Sequence, residues 1–245
     1  MSDIDRLALH VLEGLKERVF LAYEELEFHT IYQAVNAFCS VELSAIYLDI
    51  LKDRLYTSKQ DSSERRSAQT AFHLILDTLV RLIAPILSFT ADEVWWSMPG
   101  KREESVHLAE FPALTPEVKD DELAAKWMKL FGVRSEVLKA LELARAQKII
   151  GHPLSACVSI AAPAEELAFL RANSDELRTI FIVSKVELRE ELTGECHEPA
   201  DLPGYRIAVA PAPGDKCERC WCHDEEIGAD TEHPTICPRC VAAVK

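Results

Sequence analysis

The sequence predicts a mostly α protein: an antiparallel helical bundle, then a small α+β unit, then a short cysteine-rich end. Three observations carry this. Glycine is scarce, with 8 in 245 residues against 41 acidic side chains. Apolar residues recur at helical spacing through the first 150 positions. After Gly151 the character changes to short β-branched runs separated by Pro and Gly. A composition of 48% hydrophobic and 28% charged residues is that of a chain able to bury a core, and the length exceeds that of one typical domain.

Ser2 and Asp5 mark a helix start, the hydroxyl capping and the carboxylate near the positive end of the dipole, and this helix runs to about Phe28. A second runs from about Thr30 to Tyr56, with Ser40 a possible cap for a restart. Ser62 and Ser63 open a third, in which Phe72, Ile75, Leu76, Leu79, Ile83 and Ile86 share a face that Leu74, Val80, Leu82 and Leu87 widen; such a helix packs inside a bundle. Pro85 kinks or ends it. Thr90 with Glu93 reads as a capping box before Val94-Trp95-Trp96, with both tryptophans expected in the core, and Pro99-Gly100 stops that helix. After a polar crossing segment at 101–115, Thr115 and Pro116 begin a long helix, or two broken near Gly132, that Gly151 terminates. Strands are expected over Leu154 to Ala162, Phe181 to Leu188 and Tyr205 to Ala210, with a helix from Pro163 to Ile180 and a linker at residues 211–214. The resulting division is 1–150, 151–213 and 214–245.

The net charge of −14 excludes a protein that grips nucleic acid by its overall field, because phosphates want Lys and Arg. Two segments are locally positive: residues 52–81 hold six basic against four acidic side chains, and residues 126–148 six against two. No signal peptide is expected from the polar, acidic start, and no apolar run is expected to reach the roughly 18–20 residues a membrane span needs, the longest candidate, Leu79 to Leu87, being interrupted by Arg81 and Pro85. A cytoplasmic location follows as an expectation.

Residues 217–240 read Cys-Glu-Arg-Cys, sixteen residues, then Cys-Pro-Arg-Cys. Two thiolates spaced this way turn back onto one ion, and two such knuckles complete a tetrahedron, so Cys217, Cys220, Cys237 and Cys240 are expected to hold one structural zinc in a ribbon. Two disulfides are the alternative, and Cys222, His223 and His233 are rival ligands. Each knuckle places an arginine, Arg219 or Arg239, before its second cysteine, where a guanidinium would offset the −2 formal charge of a four-thiolate site. Four protein ligands leave no open position for catalysis. Cys39 and Cys157 read as buried packing thiols and Cys196 as an exposed one. No Gly-rich phosphate loop, no nucleophile elbow and no two-histidine helical zinc motif occurs.

Four blocks carry a family resemblance: CSVELSAIYLDILKDRLYT at 39–57, ERRSAQ at 64–69, VRLIAPILSFTADEVWW at 80–96 and SVHLAEFP at 105–112. In order and spacing they resemble the anticodon-binding helical domain of class I aminoacyl-tRNA synthetases of the isoleucine, valine and leucine group. RSEVLKALELARAQKIIGHPLSAC at 134–157 resembles the segment that follows it in isoleucyl enzymes, and KCERCW…CPRC resembles the zinc-binding C-terminus of the bacterial ones. The resemblance covers nearly the whole chain. It implies the tRNA-binding end of an isoleucine–tRNA ligase, a monomeric parent whose ATP-binding catalytic domain, with its His-Ile-Gly-His and Lys-Met-Ser-Lys-Ser signatures, is not in this sequence; Met1 is then an added start. His152-Pro153 departs from the small residues common at that point.

The partner implied is isoleucine tRNA, with no membrane. Stem phosphates need Lys and Arg, and loop bases stack on aromatic or Arg planes. Lys52, Arg54, Arg65, Arg66, Arg134, Lys139, Arg145 and Lys148 are the candidates for RNA contact, with Trp221 for stacking. Each has an ordinary alternative: Arg134 and Arg145 share a helix face with Leu138 and Leu141 and can lie along the core, Lys52, Asp53 and Arg54 can pair within the bundle, and Trp221 can pack the ribbon. The rival readings are a free-standing zinc-ribbon nucleic-acid-binding protein, a scaffolding bundle, and the equivalent part of a valyl or leucyl enzyme.

Overall fold

Ile4, Leu7, Leu12, Leu15 and Val19 recur at helical spacing because helix α1 (Asp3–Glu24) buries them on one side. The computed structural model describes every residue from Met1 to Lys245. Ser2 stands at the N-cap as expected, but its hydroxyl does not cap: it donates to Asp5 Oδ2 at 2.6 Å. Asp5 is fully buried and also accepts from Tyr47 at 2.7 Å and from Ser67. The chain leaves the helix sooner than expected, at Glu24, through Leu26 in the left-handed region (φ +60°).

Helix α2 (Phe28–Ala37) runs through an eleven-residue π-helical stretch, Phe38–Leu48, into α3 (Asp49–Thr57). Ser40 caps no restart, since the helix widens there instead of stopping. Phe28–Thr57 is thus one helix of 30 residues, with an 18-residue stretch of mean hydropathy 1.5 that is 28% buried. By length and composition it is long enough and apolar enough to cross a membrane, which corrects the sequence expectation. Counting only uninterrupted runs misses it, because Ser40, Glu42 and Ser44 break the run.

Ser62 Oγ accepts from Arg65 N at 3.2 Å and opens α4 (Ser63–Ile83). Its buried stripe is Ala68, Ala71, Ile75, Leu79, Val80 and Leu82. Leu74, Leu76, Ile86 and Leu87, expected inside the bundle, are exposed: α4 buries one side, not its whole circumference. Pro85 ends α4, and α5 (Ser88–Ser97) begins with Leu87 at the N-cap, so Thr90 and Glu93 lie within the helix and form no capping box. Trp95 is buried, its Nε1 donating to Glu103 O at 3.0 Å, whereas Trp96 is exposed and is not core.

The crossing segment is held by a buried ion pair. Lys16 and Glu13 pair on α1; Lys16 Nζ donates to Ala113 O at 2.7 Å, and Glu13 takes Thr115 N at 2.7 Å and Thr115 Oγ1 at 2.8 Å. Thr115-Pro116 starts only a 3₁₀ turn, Pro116–Val118. The long helix α6 (Asp121–Ala146) starts after Asp120, whose carboxylate caps Leu123 N at 2.9 Å. It passes Gly132 unbroken and stops at Lys148 (φ +59°), ahead of the expected Gly151.

The sheet that follows has the order β2-β1-β3. β1 (Ala156–Ala161) pairs in parallel with β2 (Lys185–Arg189), Val158 facing Val186, and antiparallel with β3 (Arg206–Pro211), Val158 facing Val209. The crossover from β1 to β2 is two helices where one was expected, α7 (Ala164–Ala172) and α8 (Ser174–Phe181), broken where Asn173 Nδ2 bonds Phe169 O at 2.8 Å. Val158, Ile160, Leu167, Leu170, Leu177, Ile180, Phe181 and Ile207 are its buried apolar residues. Of the expected linker at 211–214, Pro211 ends β3, Ala212 N bonds Ser155 O at 2.8 Å, and residues 213–214 form a bend. The chain gathers into two compact units: Met1–Leu51 with Gln60–Trp127, and Lys52–Lys59 with Met128–Lys245.

Candidate metal centre and nucleic-acid interface

The cysteine knuckles are shaped by backbone hydrogen bonds and one indispensable glycine. Strands β4 (Asp215–Lys216) and β5 (His223–Asp224) form an antiparallel pair. Between them Cys217 N bonds Cys222 O at 2.8 Å and Trp221 N bonds Cys217 O at 2.9 Å, closing the first knuckle. Trp221 takes the left-handed region, φ +65°, to make that turn. Gly214 (φ +82°) passes so close to the opposite strand that a Cβ would lie 2.3 Å from the Asp224 carbonyl, so only glycine fits. The second knuckle opens α9 (Pro238–Val244), with Cys237 at its N-cap, and Cys237 N points at Cys217 Sγ at 3.3 Å.

The four sulfurs of Cys217, Cys220, Cys237 and Cys240 all lie within 4.8 Å of one another, and all four residues are buried. Cys220 and Cys237 are 3.7 Å apart. A tetrahedral zinc–thiolate site with bonds of about 2.3 Å has sulfur–sulfur edges of about 3.8 Å. The donor set and its spacing therefore fit zinc. Cys222 is buried against the same cluster but is outside the quartet, and His223 Nδ1 is 3.1 Å from Gly214 O. The thiols of the quartet shift in opposite directions: hydrogen bonds from Cys222, Arg239 and Cys217 pull Cys220 down, while burial pushes Cys237 and Cys240 up.

Both knuckle arginines point at α3. Arg219 Nη1 is 3.6 Å from Cys240 Sγ and donates to Thr57 O. Arg239 grips Asp53 with both terminal nitrogens, Nη2 to Oδ1 at 2.8 Å and Nη1 to Oδ2. Burial pushes the Asp53 carboxyl up, but the bonds and charge of Arg239, with Thr57 and Arg178, hold it below the usual range. A third tie joins ribbon to sheet: His223 N donates to Ser184 Oγ at 2.7 Å, and that hydroxyl donates to Leu154 O.

The residues expected to touch RNA fall in different settings. Lys52 is exposed and Arg54 half-buried, on the same α3 end that receives the ribbon. Arg65 is half-buried and Arg66 exposed on the first turn of α4, in the other unit. Along α6, Arg134 is buried and its Nε donates to Ile180 O at 2.9 Å, so it braces α8. Arg145 is exposed beside Glu142 at 3.5 Å; the two arginines present no common exposed face. Lys139 is exposed and pairs with buried Glu136 at 2.6 Å, whose other oxygen meets His197 at 3.0 Å. Cys196, next to that histidine, is half-buried, not exposed as expected. Lys148 is exposed in its left-handed turn. Trp221 is 59% exposed, with Lys216 Nζ 5.4 Å from its ring centroid; it does not pack the ribbon interior. Sequence reasoning passed over Tyr56, 78% exposed on α3. Its position one residue before Thr57, where the ribbon is fastened, is a tertiary fact with no sequence signal.

The family profile described as "Anticodon-binding domain of tRNA ligase" matches residues 5–160. The profile described as "Zinc finger found in FPG and IleRS" matches residues 214–243. Along its whole length the chain is 58% identical to an isoleucine–tRNA ligase of Geobacter sulfurreducens and 52% identical to one of Syntrophotalea carbinolica. An isoleucine–tRNA ligase of Moorella thermoacetica is 47% identical, again over the whole chain. The chain spans about a quarter of the length of these relatives, 26%, 26% and 27%, and the matched part is their C-terminal region, without the catalytic domain.

Proposed function

The chain belongs to the anticodon-binding domain family of tRNA ligases, and from that premise we propose that it is the part of an isoleucine–tRNA ligase that holds the anticodon arm of isoleucine tRNA. The observation that carries the reading is the ribbon clamped to α3. Trp221, exposed on the first knuckle, belongs to the same compact unit as Lys52, exposed on the end of α3, and the clamp joins those two segments. An exposed stacking ring with a cation against it, as Lys216 stands 5.4 Å from the Trp221 ring centroid, is the chemistry an RNA loop requires.

In this reading Cys217, Cys220, Cys237 and Cys240 hold one zinc, which supplies fold and not chemistry, since no coordination position stays open. Lys52, Arg54, Lys139, Arg145, Lys148, Arg65 and Arg66 supply charge toward the stem, with Lys139 weakened by Glu136 and Arg145 by Glu142. Arg134 contributes only by bracing α8. The parent, monomeric and cytoplasmic, would activate isoleucine with ATP and transfer it to tRNA in its catalytic part. The functional division is 1–150 for the helical anticodon-binding part, 151–213 for the junction and 214–245 for the ribbon. The apolar helix Phe28–Thr57 carries Gln33, Asn36, Glu42, Asp49 and Lys52, polar groups costly in a bilayer, which favours a soluble setting.

The test is a binding titration of the zinc-loaded chain against isoleucine tRNA and two other tRNAs at several salt concentrations. The expected result is tighter binding to isoleucine tRNA and a log–log salt slope of a few phosphate contacts. Equal binding to all three, or none, overturns the reading.

A further inference from the structure

Asp53 and Thr57 are one helical turn apart and therefore share one side of α3. Each receives one knuckle of the ribbon: Arg239, lodged between Cys237 and Cys240, holds Asp53, and Arg219, lodged between Cys217 and Cys220, holds the Thr57 carbonyl. Thr57 Oγ1 also donates to Asp53 O at 2.8 Å and Oδ1 at 3.0 Å, making the two receptors one network. Lys52 and Tyr56, also one turn apart, are exposed on a different side of the same helix end. The side that carries Asp53 and Thr57 is thus occupied by the metal-binding knuckles, while Lys52 and Tyr56 lie exposed on the neighbouring side.

We propose that Asp53 is a positioning residue that couples the metal site to the RNA-binding surface. Through Arg239 it fixes the α3 end, with Lys52 and Tyr56, relative to the ribbon and Trp221. This rests on the reading of the chain as a tRNA-binding unit. The arginines lie inside the knuckles, so their reach to α3 is set only while four thiolates hold those knuckles in shape. Metal binding then orders the surface that RNA meets, and by linkage RNA must tighten the metal by the same factor.

The experiment uses the whole chain, its Asp53→Asn and Asp53→Glu variants, and isoleucine tRNA. Zinc content is measured by elemental analysis, site geometry by the thiolate absorption of the cobalt-substituted protein, and RNA affinity before and after chelation. The wild type should lose RNA affinity about five-fold or more on chelation, and tRNA should slow zinc loss by a comparable factor. Asp53→Asn, equal in size, should keep its zinc and its cobalt spectrum yet start with the weakened affinity and lose less than about two-fold more on chelation. Asp53→Glu should recover part of the coupling. Three results overturn the proposal: Asp53→Asn binding RNA like the wild type, Asp53→Asn losing as much affinity on chelation as the wild type, or Asp53→Asn shedding zinc, since Asp53 would then hold the site and not the link. If the zinc-loaded wild type binds no tRNA, the underlying reading fails and this one falls with it.

Discussion

Removing the metal should unfold the ribbon and leave the rest of the molecule standing. The size of the effect follows from what surrounds the cysteines. Only three half-buried apolar side chains, Leu154, Ile227 and Ile236, pack against the cluster. At roughly half the contribution of a fully buried side chain, they supply about 2–4.5 kcal/mol together. A structural zinc supplies about 10–16 kcal/mol of apparent binding free energy at neutral pH. The metal term exceeds the apolar one two-fold or more, so the metal decides whether residues 214–245 are ordered. The sheet has its own support: β1 is paired on both edges, and Val158 and Ile160 are fully buried. Hydrogen exchange followed by mass spectrometry, with and without chelator at pH 7, reads both at once. Amides of 214–245 should lose protection while those of 156–161 and of α1 keep theirs. Protection of 214–245 that survives complete zinc removal would refute the reasoning.

Three further outcomes are expected. Gly214→Ala places a methyl 2.3 Å from the Asp224 carbonyl at φ +82°; at least about 1–2 kcal/mol of backbone strain results, and zinc transfer to a chelator should accelerate, with an unchanged rate counting against the turn geometry. Lys16→Met leaves the buried Glu13 carboxylate without its cation and should cost about 3–5 kcal/mol in urea unfolding, while Glu13→Gln combined with Lys16→Met should recover most of it; equal losses in single and double variants would show that the pair is not what matters. Burial pushes the Glu13 carboxyl up, but its bonds to Lys16 and Thr115 outweigh this and hold it below its ordinary value, so its contribution is complete above the unfolded carboxylate range and fades as pH falls through the lower folded value. The difference in melting temperature between wild type and Glu13→Gln should be constant from pH 7 to about 5 and shrink below that; a difference that fades between pH 8 and 6 would contradict the assignment.

What could be read from the sequence was what local chemistry decides. The cysteine spacing places the quartet, Ser62 opens α4, Pro85 ends it, and the β-branched runs after Gly151 become the three-stranded sheet. What could not be read depends on partners far along the chain. Arg134 looks like a surface cation until Ile180 O is found against it, 46 residues away. Arg219 and Arg239 suggest neutralisation of the thiolates, and Arg219 does approach Cys240, but their main partners, Thr57 and Asp53, lie 162 and 186 residues off. The Thr90–Glu93 pattern is a valid cap in isolation; it fails because the turn after Pro85 starts α5 at Ser88, before Thr90 is reached. Trp95 and Trp96 are adjacent and chemically identical, but one step along α5 turns the side chain by about 100°, so one faces inward and the other solvent.

The central claim, that this chain holds the anticodon arm of a tRNA, is tested most directly by competition. Labelled isoleucine tRNA bound to the zinc-loaded chain is challenged with two RNA hairpins, one copying the anticodon arm of that tRNA and one its acceptor arm. The anticodon hairpin should displace the tRNA at concentrations near its own dissociation constant, and the acceptor hairpin should not. Displacement by both hairpins alike, or by the acceptor hairpin alone, would contradict the account.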